Sequence, residues 1–79
     1  MFFGFDWKIR RLRNRWNRLR NKALRQEKEK RIRLLEMLDD VENDLRVLEE
    51  QELTRVDRYR IMRNVENGLR EVEIALKEE

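Results

Sequence analysis

The side chains that most often carry out catalysis are scarce in this sequence. Histidine, cysteine and serine are absent, and Thr54 and Tyr59 are the two residues with a side-chain hydroxyl group. Without histidine there is no ordinary general base near neutral pH, and the many carboxylates fall in patterns typical of exposed helix faces. We therefore predict a protein that is not an enzyme and that has no small-molecule substrate.

The carboxylates do not form a known metal-binding motif either. Asp39, Asp40, Glu42 and Asp44 lie close together, but they lack the glycine turn and the ligand spacing of a calcium loop. A di-metal centre in a helical bundle needs Glu-x-x-His pairs, which a chain without histidine cannot supply. The acidic cluster is interpreted as a charged outer helix face, and we predict no metal and no other cofactor.

The charges of the chain are separated along its length. Residues 1–25 carry nine basic residues and one acid, Asp6, which gives a net charge of +8. Residues 26–79 have a net charge of −5, and within them residues 36–53 reach −7. Such a separation favours either an anionic partner for the first segment or contact between the basic part of one copy and the acidic part of another.

The basic segment supplies the side chains that could contact an anionic surface or a nucleic acid. They are Lys8, Arg10, Arg11, Arg13, Asn14, Arg15, Asn17, Arg18, Arg20, Asn21, Lys22 and Arg25. Arginine and asparagine pair with phosphates and with base edges, and arginine-rich helices bind structured RNA. This pattern keeps DNA and RNA open as partners, in a packaging or regulatory role.

An apolar and aromatic line runs through the same segment. The candidate membrane-contacting residues are Phe2, Phe3, Phe5, Trp7, Ile9, Leu12, Trp16 and Leu19. Spacings of three and four residues place most of them on one helix face, whereas Phe3 and Trp7 fall on the polar side. A basic amphipathic helix with aromatic residues at its start is typical of helices that lie on membranes. We favour an anionic membrane over nucleic acid, because the aromatic residues are not interleaved for stacking.

The apolar line also has a purely structural interpretation. Amphipathic helices routinely pack against other helices, so the basic helix could complete a bundle or a larger homo-oligomer. Trp16 would then be a core side chain. Trp7 and Phe3 would stay exposed, and exposed large apolar groups indicate a partner for the N-terminal end.

The sequence as a whole predicts an all-α fold. It has no proline and two glycines, and it is rich in arginine, glutamate, leucine and lysine, which are good helix formers. We divide it into a basic aromatic amphipathic helix at 1–25, a charged helix at 26–51 and a C-terminal helix at 54–79. The basic helix either precedes the other two or is continuous with the second, and we favour one continuous helix because the apolar lines of the first two segments are in phase. Asp6 is the expected N-cap of the first.

The last two segments carry apolar stripes that predict a core or oligomer interface. These residues are Leu34, Leu38, Val41, Leu45, Leu48, Met62, Val65, Leu69, Val72 and Leu76. The stripe changes phase between the two groups, and Thr54 followed by Asp57 is typical of a helix start, so a turn is expected at 51–54. The alternative is an unbroken helix in which the stripe shifts. Gly68 and Ala75 lie beside the second stripe, where small side chains would let another helix approach closely, unless Gly68 ends the helix.

These patterns lead to one architecture and three functional hypotheses. We predict long amphipathic helices that form a helical hairpin, coiled coil or three-helix bundle, and, because 79 residues bury a modest core, a homo-oligomer. The favoured function is a self-assembling scaffold whose basic helix docks on a membrane. Nucleic-acid binding and a plain oligomeric bundle are the alternatives. Without a signal-peptide core, we expect a cytoplasmic or cytoplasmic-side peripheral membrane protein, not a secreted one.

Overall fold

The computed structural model describes residues 4–78, and in this range the chain forms three α-helices and no strand. Helix α1 spans Gly4–Leu24, α2 spans Lys28–Glu50 and α3 spans Arg55–Lys77. Each helix contacts the other two, and together they form an elongated bundle of 41 × 17 × 17 Å. The predicted all-α fold is confirmed, and it takes the form of a three-helix bundle within one chain.

The chain turns between α1 and α2, so the prediction of one continuous helix through this region is wrong. Helix α1 ends at Leu24, and the backbone of Glu27 is extended, with φ −66° and ψ 164°. The carboxylate of Glu27 accepts a hydrogen bond of 3.1 Å from the backbone N–H of Lys30, which makes Glu27 the N-cap of α2. Because of this turn, α1 folds back onto the other helices, and its apolar face is buried away from water.

The second turn lies where the sequence predicts it. Thr54 is extended, with φ −65° and ψ 161°, and its hydroxyl oxygen accepts a 3.1 Å hydrogen bond from the backbone N–H of Asp57. One of the free N–H groups at the start of α3 is thereby satisfied. Helix α3 begins at Arg55, as expected, and it continues through Gly68 to Lys77.

The beginning of α1 differs from the expectation. The helix starts at Gly4, so Asp6 lies within its first turn and is not the N-cap. Phe2 and Phe3 lie outside the described residues, and the placement of the Phe5 side chain is likewise not described.

One apolar core joins the three helices. Its buried members are Leu12, Leu19, Ala23, Leu34, Leu38, Val41, Leu45, Leu48, Met62, Val65, Leu69, Val72 and Ala75. The stripe residues of α2 and α3 named from the sequence are thus buried, apart from Leu76, which is partly buried at the edge while its neighbour Ala75 is covered. All three stripes therefore pack against one another within a single copy of the chain.

Candidate functional site

The apolar face of α1 points into the bundle. Leu12 is 7% exposed and Leu19 is 4% exposed, while Ile9 and Trp16 are partly buried against the same core. The indole Nε1 of Trp16 donates a hydrogen bond of 2.8 Å to the backbone carbonyl of Leu38 in α2. In this fold, contact between these side chains and lipid would require α1 to leave the bundle.

Arg13 connects α1 to α2 through two carboxylates. Its Nε and Nη2 atoms donate hydrogen bonds of 2.9 and 2.8 Å to the two carboxylate oxygens of Glu49, and its Nη1 atom donates to Glu42. The hydrogen bond from Arg13 lowers the pKa of Glu42, and Arg46 contributes to the same effect. The hydrogen bonds from Arg13 to Glu49 and then Glu42 raise the pKa of the guanidinium. Arg13 is therefore already paired within the chain.

Arg15 makes the corresponding connection to α3. Its Nη2 and Nε atoms donate hydrogen bonds of 2.7 and 3.2 Å to the two carboxylate oxygens of Glu73. The hydrogen bond from Arg15 lowers the pKa of Glu73. The basic and acidic parts, for which contact between copies was one of two expectations, thus pair within one chain at Arg13 and Arg15.

The other basic and amide side chains named from the sequence are exposed on α1 and the turn that follows it. They are Lys8, Arg10, Arg11, Asn14, Asn17, Arg18, Arg20, Asn21, Lys22 and Arg25. No acidic residue occurs between Trp7 and Arg25. At 1.5 Å per residue, this basic face extends for about 25 Å along the helix axis. It is a continuous cationic surface that no acidic residue within this stretch interrupts.

An open cleft lies between residues 7–18 of α1 and the first half of α3. Its volume is about 380 Å³, and its lining consists of Trp7, Lys8, Arg11, Leu12, Arg15, Arg18, Tyr59, Met62, Arg63 and Glu66. Two aromatic side chains of this lining are largely exposed, Trp7 at 49% and Tyr59 at 60%. The cleft thus combines exposed aromatic rings with five basic residues and one acid.

An arginine from the next turn of the same helix lies over the ring of each aromatic residue of the cleft. The guanidinium carbon of Arg11 lies 5.2 Å from the ring centroid of Trp7, and that of Arg63 lies 5.9 Å from the ring centroid of Tyr59. Both pairs have the same four-residue spacing, which is visible in the sequence but did not identify Tyr59 and Arg63 as site residues. Trp7 was singled out because it lies off the apolar stripe. The part of the cleft from α3 was missed, because the sequence does not reveal how α1 docks on α3.

Comparison with known protein families, curated proteins and solved structures finds no match to this chain. Within residues 4–78, none of the helices combines the length and the apolar character needed to cross a bilayer. In the same range, acidic side chains do not come together in a group of three or more that could hold a metal ion. The binding partner is therefore inferred from the cationic surface of α1 and the cleft beside it.

Proposed function

We propose that this protein is a non-enzymatic nucleic-acid-binding module that presents the exposed basic face of α1 to the phosphate backbone. The observation that carries the proposal is the division of α1 into two faces. Its apolar residues, such as Leu12 and Leu19, are buried in the bundle, while most of its arginines and its asparagines face outward. A lipid bilayer would need the buried face, whereas a nucleic acid needs the exposed one.

The chemistry of the exposed face supports this choice. Arg18, Arg20 and Arg25 provide charge and several N–H donors each, which suits phosphate oxygens. Asn14 and Asn17 lie among them and can donate to a phosphate or pair with a base edge. Phosphate contacts would position the chain on a nucleic acid and would make its affinity strongly dependent on salt.

The proposal is tested by measuring binding over a range of salt concentrations. Labelled single-stranded RNA, single-stranded DNA and duplex DNA are titrated with the protein, and fluorescence anisotropy gives the affinity at each concentration. We expect the protein to bind nucleic acid, and we expect the logarithm of the binding constant to fall linearly with the logarithm of the salt concentration. The slope should be about 0.7 to 0.9 per phosphate contact. Vesicles that contain anionic phospholipid are titrated in parallel.

A pair of charge-matched variants makes the test specific for α1. The double variant Arg20→Gln/Arg25→Gln removes two positive charges from the proposed surface, and Arg33→Gln/Arg46→Gln removes two from exposed positions of α2. The first variant is expected to weaken binding and to reduce the salt slope by about 1.4 to 1.8. The second variant is expected to have little effect on the affinity or on the salt slope. Equal effects of both, or binding to vesicles alone, would overturn the proposal.

A further inference from the structure

We infer that the cleft between α1 and α3 binds an unpaired nucleobase, which stacks on Trp7 and Tyr59 while nearby cations contact the flanking phosphates. This inference rests on the proposed nucleic-acid binding and adds the class of nucleic acid to it. The protein would prefer single-stranded segments, because a base within a duplex is not available to enter a cleft.

The cleft has sufficient volume for a single base. Its volume of about 380 Å³ lies near the lower end of the range of about 300 to 1,000 Å³ that is typical of small-ligand pockets. Its apolar contribution comes from Leu12 and Met62, which are themselves buried in the core. A flat heterocycle can therefore contact apolar side chains at the base of the cleft and aromatic rings beside it.

The exposed rings are the strongest indication of what enters. Trp7 is 49% exposed and Tyr59 is 60% exposed, although each is a large side chain with much apolar surface. An aromatic ring has two faces, so the arginine that lies over each ring leaves the opposite face for another planar group. Stacking of this kind does not depend on base identity, because every base has a π-face.

The charges in the lining of the cleft suit the phosphates on either side of a bound base. Lys8, Arg11, Arg18 and Arg63 line the cleft together with the two rings, and Glu66 is the single acid in the lining. Proteins that bind single strands combine a positive groove with aromatic platforms, and both features are present here. The guanidinium groups of Arg11 and Arg63, which lie over the rings, carry several N–H donors each that can bind a phosphate next to a stacked base.

The first experiment measures the contribution of the rings to affinity. Trp7→Ala and Tyr59→Ala are each expected to weaken binding to a mixed-sequence single-stranded DNA by about 5- to 150-fold, the range known for loss of one stacked base. The salt slope should stay the same, since no phosphate contact is removed. Trp7→Phe and Tyr59→Phe should restore most of the affinity. Ile74→Ala, which truncates an exposed apolar residue elsewhere on α3, is the matched control.

The second experiment detects the base directly by fluorescence. In a Trp16→Phe background Trp7 is the remaining tryptophan, and its emission should be quenched by the single strand. An abasic oligonucleotide of the same length, and the same sequence as a duplex, should cause little quenching. Binding of single strand, duplex and abasic strand with equal affinity and without quenching would overturn the inference but leave nucleic-acid binding intact. If the protein bound none of these three nucleic acids, the proposed function itself would be overturned.

Discussion

The Cγ2 atom of Val41 lies 2.5 Å from the position that a Cβ atom would occupy at Gly68. Helices α2 and α3 can approach this closely because Gly68 has no side chain. Val41 is 5% exposed, and a β-branched side chain in a helix has one strongly preferred rotamer, so it cannot readily move away. The glycine, which is unfavourable within a helix, is therefore required by the packing of α3 on α2.

Replacement of Gly68 by alanine is expected to destabilise the protein. Alanine gains about 1 kcal/mol of helix propensity over glycine, but overpacking against Val41 costs about 1 to 3 kcal/mol. We expect a net loss of about 1 kcal/mol in the free energy of unfolding, measured by urea denaturation. In a Val41→Ala background, the Gly68→Ala change should become neutral or stabilising. An increase in stability in the wild-type background would contradict the close approach.

The indole hydrogen bond between α1 and α2 gives a second prediction. Trp16→Phe keeps an apolar ring but removes the donor to the Leu38 carbonyl, and we expect a loss of about 1 kcal/mol in the free energy of unfolding. Trp7→Phe is the matched control, because Trp7 is half exposed and should change the stability by less than about 0.5 kcal/mol. If the two variants were equally stable, the hydrogen bond would not contribute to the docking of α1.

The ends of the helices show what the sequence could and could not predict. The turn before Arg55 was predicted because the apolar stripe changes phase there and Thr54 is a common N-cap residue. The turn before Lys28 was missed, since Glu27 is an uncommon N-cap and the apolar lines on either side are in phase. No glycine or proline marks the break. A capping bond such as the one from Lys30 to Glu27 is visible only in three dimensions.

The candidate site was predictable to a similar extent. The sequence identified the basic face of α1 and the unusual position of Trp7, because both follow from the helical repeat. It could not distinguish Arg13 and Arg15 from the other arginines, since their acidic partners lie on other helices. It favoured a membrane because the aromatic residues of the basic segment are not interleaved for stacking. In the bundle the apolar stripe of α1 packs against α2 and α3, while homo-oligomerisation and the location in the cell stay predictions.

The pairing of Arg13 with Glu42 predicts a specific dependence of stability on pH. The pKa of Glu42 is lowered in the folded protein, so the folded state favours the ionised carboxylate. The resulting stabilisation is fully present above the pKa of an unfolded glutamate, about 4.3, and is lost as the pH falls through the lower folded pKa. Arg13→Met should remove this contribution and cost about 1 kcal/mol at neutral pH, after allowance for solvent screening.

The measurement compares urea denaturation of wild type and Arg13→Met from neutral to acidic pH. The other carboxylates are common to both proteins, so the difference between the two curves isolates the groups that pair with Arg13. We expect this difference to be constant near neutral pH and to shrink below about pH 4. A difference that persists unchanged in acid would mean that Arg13 stabilises the bundle by packing on Trp16, whose ring centroid lies 5.2 Å from its guanidinium carbon.

Lys30 joins the first turn of α2 to the end of α3, and this contact gives the last prediction. Its Nζ atom donates a hydrogen bond of 3.1 Å to the carbonyl of Leu76 and another to the carbonyl of Glu78. Carbonyls in the last turn of a helix lack partners within the helix, and a cation there also interacts favourably with the helix dipole. Lys30→Met should therefore lower the free energy of unfolding by about 1 kcal/mol and loosen the last turn of α3.

Hydrogen exchange can locate the effect of this substitution, because amides in the last turn of α3 exchange faster when that turn frays. In Lys30→Met we expect faster exchange at Ala75 and Leu76, and unchanged exchange at Val65 in the middle of the helix. Lys28→Met removes the same charge from an exposed position two residues earlier, so it reports the general effect of losing a cation near this end of the bundle. If both variants accelerated exchange equally, long-range charge rather than the hydrogen bonds of Lys30 would hold the end of α3.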